Sequence, residues 1–190
     1  MSSVYQEGIR FEKEDFTKDD LPLGEYENCV FSQCNFFSSS LSHCFFIDCE
    51  FINCNLSLAK LQDTAFRIVR FSDSKLLGLE FNMCNDFGFE VAFSNCNLSN
   101  SVFWKKKLKS TVFKDCNLSE VDFNDCDLSK SKFINCDLAN AVFERSNLVQ
   151  SDFRSAYNYI IDPEKNTIKK AVFSLYGVKG LLSKYDIKIE

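Results

Sequence analysis

Between residues 93 and 153, every fifth residue is phenylalanine or leucine in strict alternation, from Phe93 and Leu98 to Leu148 and Phe153. An α-helix repeats every ~3.6 residues and an isolated β-strand every ~2, so this spacing fits neither element. A repeat this regular indicates one small structural unit stacked on copies of itself. The repeat therefore predicts a solenoid.

The same spacing extends back to Tyr26, with a single interruption between Phe81 and Phe93. We call these regularly spaced residues anchors. A small residue stands two positions before most anchors, and all ten cysteines except Cys84 occupy that position. A metal site clusters its ligands, whereas these cysteines are spread along the repeat, so we interpret them as small buried side chains.

Composition excludes several classes of protein. Hydrophobic residues make up 45% and aromatic residues 15% of the 190 residues, which argues against intrinsic disorder. The net charge of −5 gives no whole-chain case for binding nucleic acid or an anionic membrane. No apolar run approaches a membrane span, and the first residues lack the apolar core of a signal peptide. We therefore expect reduced thiols and a cytoplasmic location.

The repeat divides the chain into three segments. Residues 1–23 are acidic and loosely periodic and predict an N-terminal cap, whereas residues 24–156 carry the repeat. Residues 82–92 contain the interruption, which is either a bulge in one wall or a small projecting loop used for recognition. Phe87 and Phe89 lie in this break and cannot both point inward easily.

Residues 157–190 predict a C-terminal cap with a short amphipathic helix and a final strand. Apolar residues at helical spacing indicate the helix: Val178, Leu181, Leu182 and Tyr185. The alternating Ile187 and Ile189 indicate the strand. Gly177 and Gly180 weaken the helix on propensity, so its stability must come from docking.

The repeating units resemble a known family. Units such as CNLSN, CDLSK and CDLAN alternate with SVFWK, TVFKD and SKFIN, and they are similar to pentapeptide repeats of the pattern A(D/N)LXX. The resemblance implies a right-handed quadrilateral β-helix, with one pentapeptide per side and four per coil, of about six to seven coils. Residues 20 apart would then stack in columns. The predicted core includes Phe93, Leu98, Phe103, Phe113, Leu118, Phe123, Leu128, Phe133, Leu138 and Phe143.

One residue departs from this pattern. Lys106 occupies a small, inward position, where an unpaired ammonium would be costly. We therefore expect either a distorted wall or a Lys106 side chain that reaches outward. Its neighbours Trp104, Lys105, Lys107 and Lys109 form the densest positive cluster in the chain, which is either a solvated face or a contact site for an acidic partner.

No catalytic residue, metal site or cofactor is predicted. The only histidine, His43, stands at an outward position beside the inward Cys44. A cysteine–histidine nucleophile needs the two side chains to converge, and the repeat separates them. No CxxC pair is present, and the resemblance implies no metal. We expect a protein that is not an enzyme.

The chain is similar to the quinolone-resistance pentapeptide proteins. The resemblance implies a dimeric rod that mimics DNA, binds DNA gyrase or topoisomerase IV and does not bind nucleic acid or membrane directly. The dimer contacts it implies lie at Leu175, Tyr176, Val178, Leu181, Leu182 and Tyr185. The candidate partner-binding residues are Asp115, Glu120, Asp122, Asp125, Asp127, Asp137, Phe87, Phe89 and Trp104. The alternative is a pentapeptide-repeat scaffold that binds an unrelated protein.

Overall fold

The computed structural model describes residues 3–188 and forms a parallel β-solenoid of about eight turns. Its strands are β1 (Val4–Glu7), β2 (Arg10–Glu12), β3 (Gly24–Glu27), β4 (Val30–Ser32), β5 (Phe45–Ile47), β6 (Glu50–Ile52), β7 (Ala65–Arg67), β8 (Val69–Ser72), β9 (Val91–Ser94), β10 (Val112–Lys114), β11 (Lys132–Ile134), β12 (Asp152–Phe153) and β13 (Val172–Phe173). Near the C-terminus lies one short helix, α1 (Lys179–Leu182), and 3-10 turns span Phe81–Met83 and Ser183–Tyr185.

Four parallel ladders run along the solenoid, one on each wall. The first wall is a nine-stranded sheet in the order β2-β4-β6-β8-β9-β10-β11-β12-β13. The second and third walls are ladders of isolated bridges, such as Asn97 to Asn117 and Val102 to Asp122. The fourth wall begins as the sheet β1-β3-β5-β7 and continues after the break as bridges from Lys107 onward. The predicted four-sided arrangement is therefore confirmed.

The register of the first wall shows where the chain accommodates the two extra residues of the break. Phe31 pairs with Phe51, as the predicted columns require. Across the break, Phe71 pairs with Phe93, where an unbroken repeat would pair it with Val91. The two extra residues are thus absorbed before β9, and the ladder continues without a shift in the side-chain pattern.

Aromatic columns fill the interior. Phe113 and Phe133 stack with ring centroids 5.1 Å apart and planes 5° apart. Phe123, on the third wall, meets Phe113 edge-on at 5.8 Å and 79°. Both geometries are favourable for aromatic pairs. Every residue in the predicted core is buried, including each of the leucines.

The small inward residues also hydrogen-bond to the backbone. The Cys126 thiol donates to the Phe103 carbonyl at 3.0 Å, and the Thr64 hydroxyl donates to the Leu41 carbonyl at 2.8 Å. In both cases the acceptor is an anchor one coil earlier. A cysteine, serine or threonine at this position therefore fits a narrow space and supplies a donor to a buried carbonyl.

The corners of the coils require an unusual backbone conformation. The residue two positions after most anchors is left-handed, as in Asn95 (φ 53°), Asp115 (φ 53°) and Lys105 (φ 62°). Asparagine and aspartate tolerate this region better than most side chains. Their recurrence at corners therefore has a backbone cause.

Asparagine and aspartate directly before an anchor have a second backbone role. The Asp127 carboxylate accepts a hydrogen bond from the Ser129 amide at 3.1 Å, which closes an Asx turn. The same oxygen accepts from Asn147 Nδ2, one coil later, at 2.9 Å. The (D/N) of the repeat thus supports both the turn and the stacking of coils.

Both chain ends extend the ladder beyond the region of clear repeats. β1 and β2, within residues 1–23, pair with β3 and β4, and β13 pairs with β12. Phe11 stacks on Phe31 at 4.7 Å, and Phe173 stacks on Phe153 at 5.3 Å. The solenoid therefore has about eight turns rather than the six to seven predicted.

The C-terminal segment differs in part from prediction. Its helix, α1, has only four residues. A Cβ atom on Gly180 would lie 2.1 Å from the Tyr159 carbonyl, so the segment needs glycine to approach the last coil this closely. The predicted final strand is wrong for residues 186–188, which have no strand structure. Ile189, the other residue of that prediction, lies outside the described residues.

Candidate interaction surface

The six acidic residues predicted to contact a partner are spread around the solenoid. Asp137 lies on the second wall, Asp122 on the third and Asp127 on the fourth. The other three lie at corners: Asp115, Glu120 and Asp125. The structure therefore does not bring these carboxylates together into one stripe.

Several of these carboxylates are engaged by their own neighbours. Asp115 accepts a hydrogen bond from Asn135 Nδ2 at 3.1 Å, and Asp137 accepts from Asn158 Nδ2 at 2.9 Å. Asn and Asp therefore alternate along the columns without stacking like charges. These hydrogen bonds within the solenoid account for much of the acidic composition of the second half of the chain.

Asp125 joins Trp104 and Arg145 into one cluster across neighbouring coils. Arg145 donates from Nε and Nη2 to the two carboxylate oxygens, each at 2.8 Å, and Trp104 Nε1 donates to Oδ2 at 3.1 Å. The hydrogen bonds from Arg145 lower the pKa of Asp125 to about 2. Lys105 Nζ lies 4.2 Å from the centroid of the indole ring. The hydrogen bond to Asp125 and the contact with Lys105 thus both hold the exposed Trp104 side chain in place.

At the break, Phe89 occupies the interior position that the repeat would assign to Asp86. Asp86 stands where the spacing from Phe66 would place the next anchor, but its side chain is 81% exposed. Phe89 takes the interior place instead, half-buried against the core, with its ring 6.5 Å from that of Phe81. The two extra residues allow this exchange, which leaves Phe87 exposed.

Lys106 is buried, and its side chain does not reach outward as one alternative predicted. Only 2% of the side chain is exposed. Its Nζ donates to Asp86 Oδ1 at 2.6 Å and to the Cys84 carbonyl, and lies 5.1 Å from the ring centroid of Phe89. The break thus supplies an acidic partner, a carbonyl and an aromatic face to this lysine. The two departures from the repeat, Asp86 at an anchor position and Lys106 at a small inward position, therefore compensate each other.

Arg67, on the fourth wall, lies between two exposed aromatic rings. Its guanidinium carbon is 5.9 Å from the centroid of Phe45 and 5.0 Å from that of Phe87. Its Nε also donates to the Phe87 carbonyl at 3.3 Å. Arg67 and Phe45 were not predicted as site residues, because each is an ordinary outward residue until the break places Phe87 one coil later.

Lys107 and Lys109 extend this wall beyond the break. Both side chains are exposed, and within residues 3–188 neither forms an ion pair. They line a groove of about 550 Å³ together with Phe89 and Glu90. The lysine cluster is therefore divided, with Lys106 part of the interior and its neighbours on the surface.

The C-terminal segment exposes apolar side chains at one end of the rod. Leu175 and Tyr176 are 87% and 89% exposed. Of the other residues assigned to a dimer contact, Tyr185 is exposed and donates to Glu164 at 2.9 Å. The remaining three are half-buried: Val178, Leu181 and Leu182. Only part of the predicted contact set is thus free to meet another chain.

Two family profiles match the sequence over most of its length. One, for pentapeptide repeats in eight copies, covers residues 29–67, and the other, for a pentapeptide repeat region, covers residues 89–157. The matched residues lie on both sides of the break. The chain is a pentapeptide-repeat protein.

Two solved structures of another pentapeptide-repeat protein have the same fold. Two trypsin-treated variants of QnrB1, a plasmid-mediated fluoroquinolone resistance protein, align at 18% identity with TM-scores of 0.57 and 0.50. Each alignment covers 98% of this chain, and 92% and 100% of QnrB1 respectively. HetL, involved in heterocyst differentiation regulation in the cyanobacterium Nostoc, aligns at 12% identity and a TM-score of 0.39, over 90% of this chain and 87% of its own. No curated protein matches the sequence.

The residues of this pentapeptide-repeat protein with catalytic potential are separated. His43 is exposed, with Nδ1 3.6 Å from Asp63 Oδ2, whereas Cys44 is buried. Burial raises the pKa of the Cys49 thiol to about 12, which suppresses its thiolate. Within residues 3–188, no three His, Cys, Asp or Glu side chains are grouped closely enough to hold a metal ion. No helix in this part of the chain has the length and apolar character needed to cross a membrane.

Proposed function

We propose that this protein is a non-enzymatic, cytoplasmic interaction rod that binds a type II topoisomerase, DNA gyrase or topoisomerase IV, and protects it from quinolones. The observation that carries the proposal is a solenoid whose first-wall ladder continues through the break and whose ten cysteines are all buried, which leaves the outward walls and the ends as the surfaces that a partner can contact. A trypsin-treated variant of QnrB1, a fluoroquinolone resistance protein, supports this choice because the whole of that chain aligns with nearly all of this one. No cofactor is part of the proposal.

The charge distribution decides which form of the proposal to test. DNA mimicry in its simplest form needs a continuous stripe of negative charge that competes for phosphate-binding sites. Here the six candidate acids lie on three different walls and at corners, and the fourth wall carries Lys107 beside the exposed Lys109. The test therefore measures topoisomerase function directly and does not presuppose a stripe. The alternative, a scaffold for an unrelated partner, is favoured by this same positive surface.

The experiment is a DNA gyrase supercoiling assay, with and without a quinolone, over a range of protein concentrations. We expect the protein to restore supercoiling in the presence of the quinolone, or to inhibit it alone, at about 1 μM. A heat-unfolded sample at the same concentration is the control. The absence of both protection and inhibition at that concentration would remove topoisomerase and leave the scaffold alternative.

We also propose that the C-terminal segment joins two copies of the rod. Leu175 and Tyr176 are almost fully exposed apolar residues at the end of the stack, and such surfaces favour two-fold association. In the double variant Leu175→Glu/Tyr176→Glu, light scattering should give the monomer mass where the wild-type protein gives twice that mass.

Because both side chains are exposed, the fold should be unaffected, and an unchanged circular dichroism spectrum verifies this. The matched control is Leu58→Glu/Val142→Glu, which replaces exposed apolar residues at a corner and on the third wall. It should remain dimeric. A wild-type protein that is monomeric at all concentrations tested rules out the dimer and makes the segment a cap alone.

A further inference from the structure

The fourth wall presents a set of positive and aromatic side chains that the proposed function leaves unexplained. Phe45, Arg67, Phe87, Lys107 and Lys109 lie on successive coils around the break; we call this set the cation–aromatic surface. We propose that this surface binds an acidic protein segment that also carries an exposed aromatic or aliphatic side chain. This inference rests on the protein being an interaction rod, but not on the identity of its partner.

Arg67 is pre-organised to receive a carboxylate. Its Nε donates to the Phe87 carbonyl, and its guanidinium carbon lies 5.9 Å and 5.0 Å from the two ring centroids, so the side chain is held between the rings. Within residues 3–188, its Nη1 and Nη2 atoms have no hydrogen-bond or ion-pair partner. A guanidinium held between two rings with both Nη atoms available matches the two oxygens of a carboxylate.

Phe87 is an exposed aromatic ring on a fixed backbone. Its side chain is 75% exposed. Its amide donates to Asn85 Oδ1 at 2.9 Å, and Asn85 Nδ2 donates to Asp63 Oδ1 at 2.8 Å. The neighbouring Asp86 is anchored to Lys106. A rigid aromatic side chain loses little entropy on binding, which is typical of residues that dominate interfaces.

Lys107 and Lys109 supply the remaining charge complementarity. Both line the groove of about 550 Å³ that Phe89 also lines. An acidic segment laid along the wall would place one carboxylate on Arg67 and others near these lysines, with its apolar side chain against Phe87. Positive rim charges of this kind mainly accelerate and orient association.

The surroundings favour a short protein segment over a nucleic acid. The chain has a net charge of −5, Asp48 lies at a corner next to this wall, and Glu90 lines the same groove as Lys107 and Lys109. A long polyanion would meet these carboxylates, because its phosphates are evenly spaced. A peptide can instead place its acids at the positive positions only.

The test is a fluorescence-anisotropy titration of the full chain against a labelled peptide of about twelve residues, with two phenylalanines among glutamates and aspartates. We expect saturable binding. The variant Arg67→Glu/Lys107→Glu/Lys109→Glu should bind at least about tenfold more weakly. The control Lys13→Glu/Lys60→Glu/Lys132→Glu, which makes the same charge change at exposed positions on other parts of the rod, should bind like wild type.

Three comparison probes make the proposal falsifiable. A peptide with alanine in place of phenylalanine should bind more weakly, and one with lysine in place of the acids should not bind. A single-stranded DNA of about twelve nucleotides should also bind more weakly. Absence of saturation up to about 1 mM peptide, equal losses in the two triple variants, or tighter binding of the DNA would each overturn the inference. None of these outcomes depends on the supercoiling assay, so the two proposals fail separately.

Discussion

Replacing Phe123 with alanine is expected to lower the free energy of unfolding by ~3–5 kcal/mol. Phe123 is fully buried, stacked between Phe103 at 5.4 Å and Phe143 at 5.1 Å. It also meets Phe113 and Phe133 edge-on, at 5.8 and 5.9 Å. Hydrogen-bonded walls keep successive coils at a fixed spacing, so the column cannot collapse into the cavity.

The measurement is equilibrium unfolding in urea, followed by circular dichroism and by the fluorescence of Trp104, the single tryptophan. Agreement of the two probes verifies that one transition is being measured. Phe37→Ala is the matched control, since Phe37 is exposed and should cost less than about 1 kcal/mol. A loss for Phe123→Ala as small as that of the control would mean that the columns do not support the fold.

Lys106→Glu is expected to cost at least about 3 kcal/mol, because it buries a carboxylate against another carboxylate and a carbonyl. The wild-type ammonium is enclosed by Asp86, the Cys84 carbonyl and the Phe89 ring. Lys106→Met should stay within about 1.5 kcal/mol of wild type, since an apolar chain of similar length fits the same space. Asp86 is largely exposed and would remain solvated in that variant.

The neighbouring Lys107→Glu provides the control for charge alone. Lys107 is exposed and forms no ion pair within residues 3–188, so its reversal should change stability by no more than about 0.5 kcal/mol. Equal effects of the two reversals would contradict the buried position of Lys106. A large loss in Lys106→Met would show instead that the ion pair itself stabilises the break.

The repeat made the architecture predictable because each column contains like residues at a constant spacing. Phe113, Phe133 and Phe153 stack as that spacing requires. The prediction stopped short at the ends, where Phe11 and Phe173 continue the column within segments whose other residues are irregular. A few residues in phase, such as Phe11 and Phe16, were a weaker signal there than a full repeat.

The compensation between Asp86 and Lys106 was not predicted, although both departures are visible in the sequence. One is an aspartate where an anchor is expected, and the other is a lysine at a small position one coil later. Counting anchors treats such residues as isolated exceptions. Their contact depends on Phe89 entering the core, which depends in turn on the path of the two extra residues. That path is a tertiary property and has no periodic signature.

The interpretation of the acidic residues was limited for a different reason. The sequence shows how many acidic residues there are, whereas their availability to a partner depends on the hydrogen bonds that they accept within the solenoid. Asp127 closes a turn and Asp125 holds Arg145 and Trp104. Residues that serve the coil in this way are poor indicators of a binding face. The departures from the repeat, at the break and the C-terminal segment, are better indicators because the coil does not require them.

Direct binding to DNA gyrase tests the proposed function most simply. Wild-type protein is titrated calorimetrically into the gyrase holoenzyme without DNA, and then in the presence of a linear duplex. We expect saturable binding with a Kd of about 1 μM or tighter, which the duplex weakens if the two share a site. The Phe37→Ala variant should bind like the wild-type protein. A titration with no heat of binding at about 10 μM protein, from a sample that is folded by circular dichroism, would contradict the proposal that this rod engages a type II topoisomerase.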